Sequence, residues 1–192
     1  MTGEIVAFLQ EQNITEDPAT LEALLPVSQV IALDRGERLA VRSEEMYYVL
    51  LDGALRSWLL DREGNEITDD LIFRRGQAFT DYSALRETES MVTIEALGPT
   101  RVLAFPQNLT REYCLKDPAL ATSYIDAIRE MYLRIWEHRN AIITLDARGR
   151  YLWFLERFPG LIDRIYHKHI ASFLGMTPVS LSRIRGQIRR GK

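Results

Sequence analysis

Between Pro118 and Gly149 the chain contains neither proline nor glycine, and no other feature constrains the fold as much. Asp117-Pro118 opens this stretch with a helix-capping side chain and a proline suited to a first helical turn. Inside it, Ala121, Tyr124, Ile128, Met131, Ile135, His138, Ile142 and Leu145 recur at alternating spacings of three and four. That stripe predicts one long helix packed along a partner helix. A second copy of the chain is the simplest partner, because closed two-fold dimers dominate soluble oligomers. The alternative is a helix that covers its own domain.

The texture on either side is different. Residues 1–25 read as helical, with Ile5, Phe8 and Leu9 on one face and Leu21, Leu24 and Leu25 on another before Pro26. From 27 to 105, short apolar segments (27–33, 46–51, 54–60, 66–73, 91–97 and 100–105) are separated by Gly36, Gly53, Gly64-Asn65, Gly76 and Gly98-Pro99. Short strands punctuated so regularly predict a β-sandwich, roll or barrel. Gly64-Asn65 predicts a hairpin turn, because both residues tolerate positive φ. Beyond the long helix, a second helix is expected from Leu145 to about Arg157, ended by Phe158-Pro159-Gly160.

Composition narrows the function classes. The longest wholly apolar run, Met46 to Leu51, is six residues, against the ~20 that span a bilayer. One cysteine, Cys114, allows no internal disulfide and too few thiolates for a zinc or iron–sulfur site; it reads as structural. With no basic residue near the start, the expectation is a cytoplasmic protein without a membrane association. All three histidines lie at or beyond 138, outside the β-region where a metal-dependent barrel would need them. There is no Walker loop and no Gly-x-Ser-x-Gly elbow. Neither an enzyme, a metal site nor a cofactor is expected.

Charge is segregated. Seven basic and no acidic residues lie between Arg164 and Lys192, while the remaining 17 basic residues face all 27 acidic ones in the first 163. An acidic body with a basic tail suggests a polyanion as partner.

The tail also has internal order. Ala171 suits a close crossing of two helices and Gly175, four residues later, the turn between them. Ile170, Leu174, Leu181 and Ile184 supply apolar contacts, and Thr177-Pro178 begins the second helix. This is a helix-turn-helix pattern. Its second helix turns Thr177, Ser180 and Arg183 outward to base edges in a major groove. Lys168 stands near phosphate, and Arg185, Arg189 and Arg190 add salt-sensitive affinity. His167 and His169, two apart on a helix, point to different sides and cannot share a metal ion, so structural or phosphate-contacting roles fit them.

Taken in order, these features resemble the Crp/Fnr family of transcription regulators over nearly the whole chain. The resemblance is carried by Gly36-Glu37, Leu51-Asp52-Gly53, Gly64-Asn65-Glu66 and Arg75-Gly76-Gln77-Ala78-Phe79, and by the run from His169 to Ile184. It implies an α+β fold: an N-terminal double-stranded β-helix (a β-roll or jelly roll), a long dimerisation helix and a C-terminal winged helix-turn-helix. The implied boundaries are 1–108 for a cyclic-nucleotide-binding-like sensor, 109–143 for the dimerisation helix and linker, and 144–192 for the DNA-binding domain. The dimer interface would comprise Ala121, Tyr124, Ile128, Met131, Ile135, His138 and Ile142. Lys168, His169, Thr177, Pro178, Val179, Ser180, Ser182, Arg183, Arg185 and Arg189 would face palindromic double-stranded DNA, and the wing would lie between Leu161 and Tyr166.

Two departures matter. Family members that bind cyclic nucleotide carry Phe-Gly-Glu and, about ten residues on, an Arg; here stand Phe79-Thr80-Asp81 and Ser90, with Arg86 the nearest replacement cation and Thr93 beyond. Without that glycine and cation, a buried phosphate lacks its charge-assisted contacts, so the pocket reads as degenerate. Pro178 and Val179 replace residues that often read bases, so the operator does not carry over. The expectation is a dimeric DNA-binding regulator that does not answer to cyclic AMP through the usual site; the alternative is a dimeric small-molecule sensor whose output is protein–protein contact.

Overall fold

The computed structural model describes residues 2–40, 45–80 and 92–190. Two short helices, α1 (Thr2–Glu11) and α2 (Pro18–Leu24), precede seven strands: β1 (Gln29–Leu33), β2 (Met46–Asp52), β3 (Leu55–Leu60), β4 (Glu66–Ile72), β5 (Ala78–Thr80), β6 (Thr93–Ala96) and β7 (Thr100–Pro106). Then come α3 (Gln107–Cys114), the long α4 (Pro118–Thr144), α5 (Ala147–Arg157), a 3-10 turn (Leu161–Asp163), α6 (His167–Phe173) and α7 (Pro178–Arg189).

The strands form two antiparallel sheets, ordered β1-β7-β2-β5 and β4-β3-β6. Tyr48, Leu50, Leu55, Ile72, Phe79, Ile94 and Val102 fill the space between them. Val49, Leu51, Leu103 and Phe105 point the other way, onto Ile5, Phe8, Leu9 and Leu24 of the N-terminal helices and Leu120 of α4. Both faces of β2 are therefore covered. That is why its sequence is a continuous apolar run rather than an alternation.

A third cluster joins the roll to the C-terminal helices. Ala54, Leu71 and Leu97 pack with Phe154, Phe158, Leu161, Ile170, Phe173, Leu174, Leu181 and Ile184. The helix-turn-helix is thus seated on the end of the second sheet. Ser172 fastens it: its hydroxyl accepts from the Thr68 amide at 2.9 Å and donates to the Glu66 carbonyl at 3.2 Å. β4 is an outer strand of its sheet, and a side chain of α6 satisfies the backbone groups its edge would otherwise leave open.

The Gly64-Asn65 turn joins β3 and β4 in the expected hairpin: Gly64 has φ 83°, and Asn65 donates through Nδ2 to Asp61 at 3.0 Å, closing the turn by side chain. Other expectations need correction. β5 was not foreseen, being only three residues long. The expected wing is a correction too. The stretch between α5 and α6 contains a 3-10 turn, and among the described residues the part beyond α4 has no strand. Leu145 belongs to neither helix. It is extended (φ −100°, ψ 147°) after α4, and Asp146 caps α5 by accepting from Gly149 N at 2.7 Å.

The stripe on α4 divides. Tyr124 stacks obliquely on Tyr47 of the roll, with ring centroids 5.5 Å apart. His138 packs on Phe173, and Ile142 lies beside Gly175 in the turn between α6 and α7. Ala121 and Met131 are half-buried. These contacts occupy Tyr124, His138 and Ile142 within the chain. Of the expected interface residues, Ile128 and Ile135 are the exposed ones, and they join Ile125, Tyr132, Trp136 and Ile143 in an apolar stripe on the open side of the helix. α4 has apolar residues on two faces, and spacing alone did not say which face the chain itself covers.

Candidate nucleic-acid interface

The turn between α6 and α7 follows from local chemistry. Gly175 takes a left-handed conformation, φ 61°. Its amide donates to Ser172 O at 3.0 Å, and the Met176 amide donates to Ala171 O at 2.9 Å. This paired bonding terminates α6 and needs a residue without a Cβ penalty at the left-handed position. Thr177 then caps α7, its Oγ1 accepting from Ser180 N at 3.1 Å, with Pro178 in the first turn. Leu181 and Ile184 face the core while Thr177, Pro178, Val179, Ser182, Arg183 and Arg189 face outward; Val179 is 78% exposed. Ser180 and Arg185 are half-buried, and Lys168 is exposed on α6.

His169 is the exception among the expected DNA contacts. It is 4% exposed, turned under α6 towards the roll. Burial, with the nearby Arg56 and Lys168 cations, holds its imidazole down at about 4, against the opposing pull of Glu95 and Glu66. His169 is a neutral core residue and does not reach DNA in this arrangement.

Beneath it lies an ion cluster that sequence reasoning missed. Arg56 is 2% exposed; its guanidinium is hydrogen-bonded to Glu66 and, at 2.6 Å, to Glu95, and it lies over the Trp58 ring. An Arg alternating with apolar residues on a strand looks solvent-facing, and only sheet pairing brings the two carboxylates to it.

Two concavities differ in their electrostatics. A groove of about 640 Å³ between α4, α1 and the β4–β5 turn is lined by Arg74, Arg75, Arg129 and Arg134. Each has a carboxylate: Glu130 at 2.7 Å, Glu11 at 3.0 Å, Asp126 at 3.5 Å and the buried Asp70 at 2.9 Å. A cleft of about 390 Å³ at the helix-turn-helix is lined by His167, Pro178, Leu181, Ser182, Arg185, Gly186 and Arg189, with no acid among them. Among the described residues no salt bridge involves a residue beyond Arg157. Arg164, Lys168, Arg183, Arg185, Arg189 and Arg190 therefore have no ion-pair partner among the described residues, on and around an exposed helix.

Of the expected effector pocket, Phe79 stacks on Tyr48 inside the roll at 5.3 Å, Thr80 donates to the Met46 carbonyl at 3.2 Å, and Thr93 opens β6. Asp81, Arg86 and Ser90 lie outside the described residues. No group of three metal-binding side chains occurs among the described residues, and no described helix is long and apolar enough to cross a membrane.

No family model matches the sequence, and no curated protein matches it. Solved structures do match the fold. FixK2 from Bradyrhizobium japonicum superposes with a TM-score of 0.70 at 18% identity, over 86% of this chain and 86% of that one. A CooA mutant from Carboxydothermus hydrogenoformans gives 0.71 at 17% identity, over 95% and 84%. A Crp/Fnr-family transcriptional regulator from Thermus thermophilus gives 0.65 at 19% identity, over 85% and 87%. The roll, the long helix and the terminal helix pair thus stand in the same arrangement as in those proteins, and the chain has the fold of the Crp/Fnr transcription regulators.

Proposed function

We propose that this chain is a homodimeric, cytoplasmic transcription regulator that binds palindromic double-stranded DNA. The observation that carries the reading is the set of cations on α6 and α7 that lack ion-pair partners among the described residues, in a stretch that has no acidic residue from Arg164 to Lys192. A phosphate backbone supplies the missing anions, and an exposed helix fits the major groove. Arg183, with Ser182 and Thr177, is positioned to meet base edges. The open apolar stripe of α4, from Ile125 to Ile143, supports the dimer: two such helices side by side would bury it and set the two copies of α7 about 34 Å apart.

In this reading the roll does not answer to cyclic AMP through the family's usual phosphate contacts. Thr80 and Ser90 stand where glycine and arginine would be needed, and Phe79 fills the interior beside Tyr48. An effector, where one acts, works by favouring the spacing of α7 that DNA accepts.

The test is selection of bound fragments from a randomised duplex pool at near-physiological salt. An enriched palindrome with half-sites about one helical turn apart is the expected result. Weak, unselective binding would point to a dimer awaiting an effector. Absence of binding even at low salt would overturn the reading in favour of a sensor that acts through protein contact.

A further inference from the structure

We propose that His167, Arg185 and Arg189 form a proton-linked clamp for a DNA backbone phosphate, in the cleft between the start of α6 and the middle of α7. The inference rests on the DNA-binding reading and adds to it a site and a pH dependence.

The cleft is lined without a carboxylate, and neither Arg185 nor Arg189 has a salt-bridge partner among the described residues. Arg185 instead lays its guanidinium against the His167 ring, with Nη1 2.9 Å from Nδ1 and also in contact with Nε2. A guanidinium carries donors and positive charge only, so this contact disfavours the protonated imidazolium. Burial and then Arg185 push its titration downward, with Arg189 adding to them; Asp163, from the turn before α6, pulls the other way. Those are the charged groups acting on the ring. Three cationic or cation-forming side chains are thus gathered around a cleft whose lining has no carboxylate, an arrangement that disfavours the protonated histidine.

A phosphodiester oxygen in the cleft reverses that balance. It accepts hydrogen bonds from Arg185 and Arg189, withdraws the guanidinium from the ring, and favours the protonated imidazolium, which then donates to the phosphate. Binding takes up one proton from solvent. By linkage, affinity rises as pH falls through the interval between the ring's free and bound titrations, and is flat on either side. His169 does not substitute, because burial under α6 holds it down at about 4.

The test uses full-length protein and a fluorescein-labelled mixed-sequence duplex, followed by anisotropy at low salt from about pH 7.5 to about pH 6. Wild-type affinity is expected to rise about five-fold as pH falls. His167→Gln should still bind but lose that slope, and His167→Lys should bind tightly and independently of pH. His167 is also followed by its imidazole resonance: the duplex should raise its titration, and inorganic phosphate at the same ionic strength should not. A pH slope in His167→Gln equal to that of wild type overturns the clamp while leaving DNA binding intact. An equal shift with inorganic phosphate overturns it in favour of a free-phosphate site. No duplex binding by any variant, at any pH, overturns the DNA reading and the clamp together.

Discussion

His138 on the long helix and Phe173 on α6 are bonded twice over: the His138 Nε2 lies 2.7 Å from the Phe173 carbonyl oxygen, and the two rings stack 4.0 Å apart and 4° from parallel. The nitrogen facing the carbonyl is the donor. This pair, with Trp153 stacked on the same rings, is where the helix expected to carry the dimer meets the helix-turn-helix. His138→Ala removes both the hydrogen bond and the stacking and should cost about 2 kcal/mol in urea unfolding. His138→Phe keeps the stacking and should lose about half as much.

Ser172 sits at the other anchor of α6. Its replacement by Ala leaves the Thr68 amide without its acceptor, at a loss of about 1–2 kcal/mol. Amide exchange at Thr68 should quicken in Ser172→Ala; unchanged protection there would show that the edge is closed by something else.

Stability should depend on pH through His169. Its folded-state value of about 4 lies below the ordinary 6.5, so the unfolded chain binds the proton that the folded chain refuses. The stabilisation is complete above about 6.5, declines as pH falls towards about 4, and amounts to about 2–3 kcal/mol. His169→Gln should flatten that interval in denaturant titrations. Glu66 and Asp117 act lower down: hydrogen bonding by Arg56 depresses Glu66, while for Asp117 burial raises the value and is outweighed by bonds from Thr15 and the start of α4. Their contribution is lost as the carboxylates protonate.

The two faces of α4 give opposite expectations. Tyr132→Asp or Trp136→Asp places charge in the open stripe and should weaken a dimer at least about 100-fold in sedimentation equilibrium. Tyr124→Ala should lower monomer stability through lost contact with Tyr47 and leave the association constant nearly unchanged. The reverse pattern would return the interface to the face read from spacing.

Local signals were legible in the sequence. The proline- and glycine-free run fixed α4, the Gly175 and Thr177-Pro178 pair placed the turn and the start of α7, and Gly53 and Gly64 marked real turns. What escaped depends on partners distant in the chain. Arg56 meets Glu95 thirty-nine residues away, and Ser172 meets Thr68 across 104; no window on the sequence contains either pair. His169 was placed on the DNA face because its position in the motif said so, yet the roll beneath α6 covers that side. Spacing alone did not separate the two faces of α4: Tyr124, His138 and Ile142 find partners inside the chain, while Tyr132 and Trp136 stay open.

The attachment of Ser172 to β4 has one more effect. An outer strand with free amides and carbonyls is a template on which another chain can add itself, and proteins usually block such strands with charge, a bulge or a cover. Here the cover is the first helix of the helix-turn-helix itself. Under the proposed function, any movement that lifts α6 away to meet DNA also uncovers the Thr68 amide and Glu66 carbonyl, so freedom of the helix pair and resistance to aggregation are set against each other. Ser172→Ala should therefore shorten the soluble lifetime of the protein under mild heating, by more than its loss of stability alone accounts for.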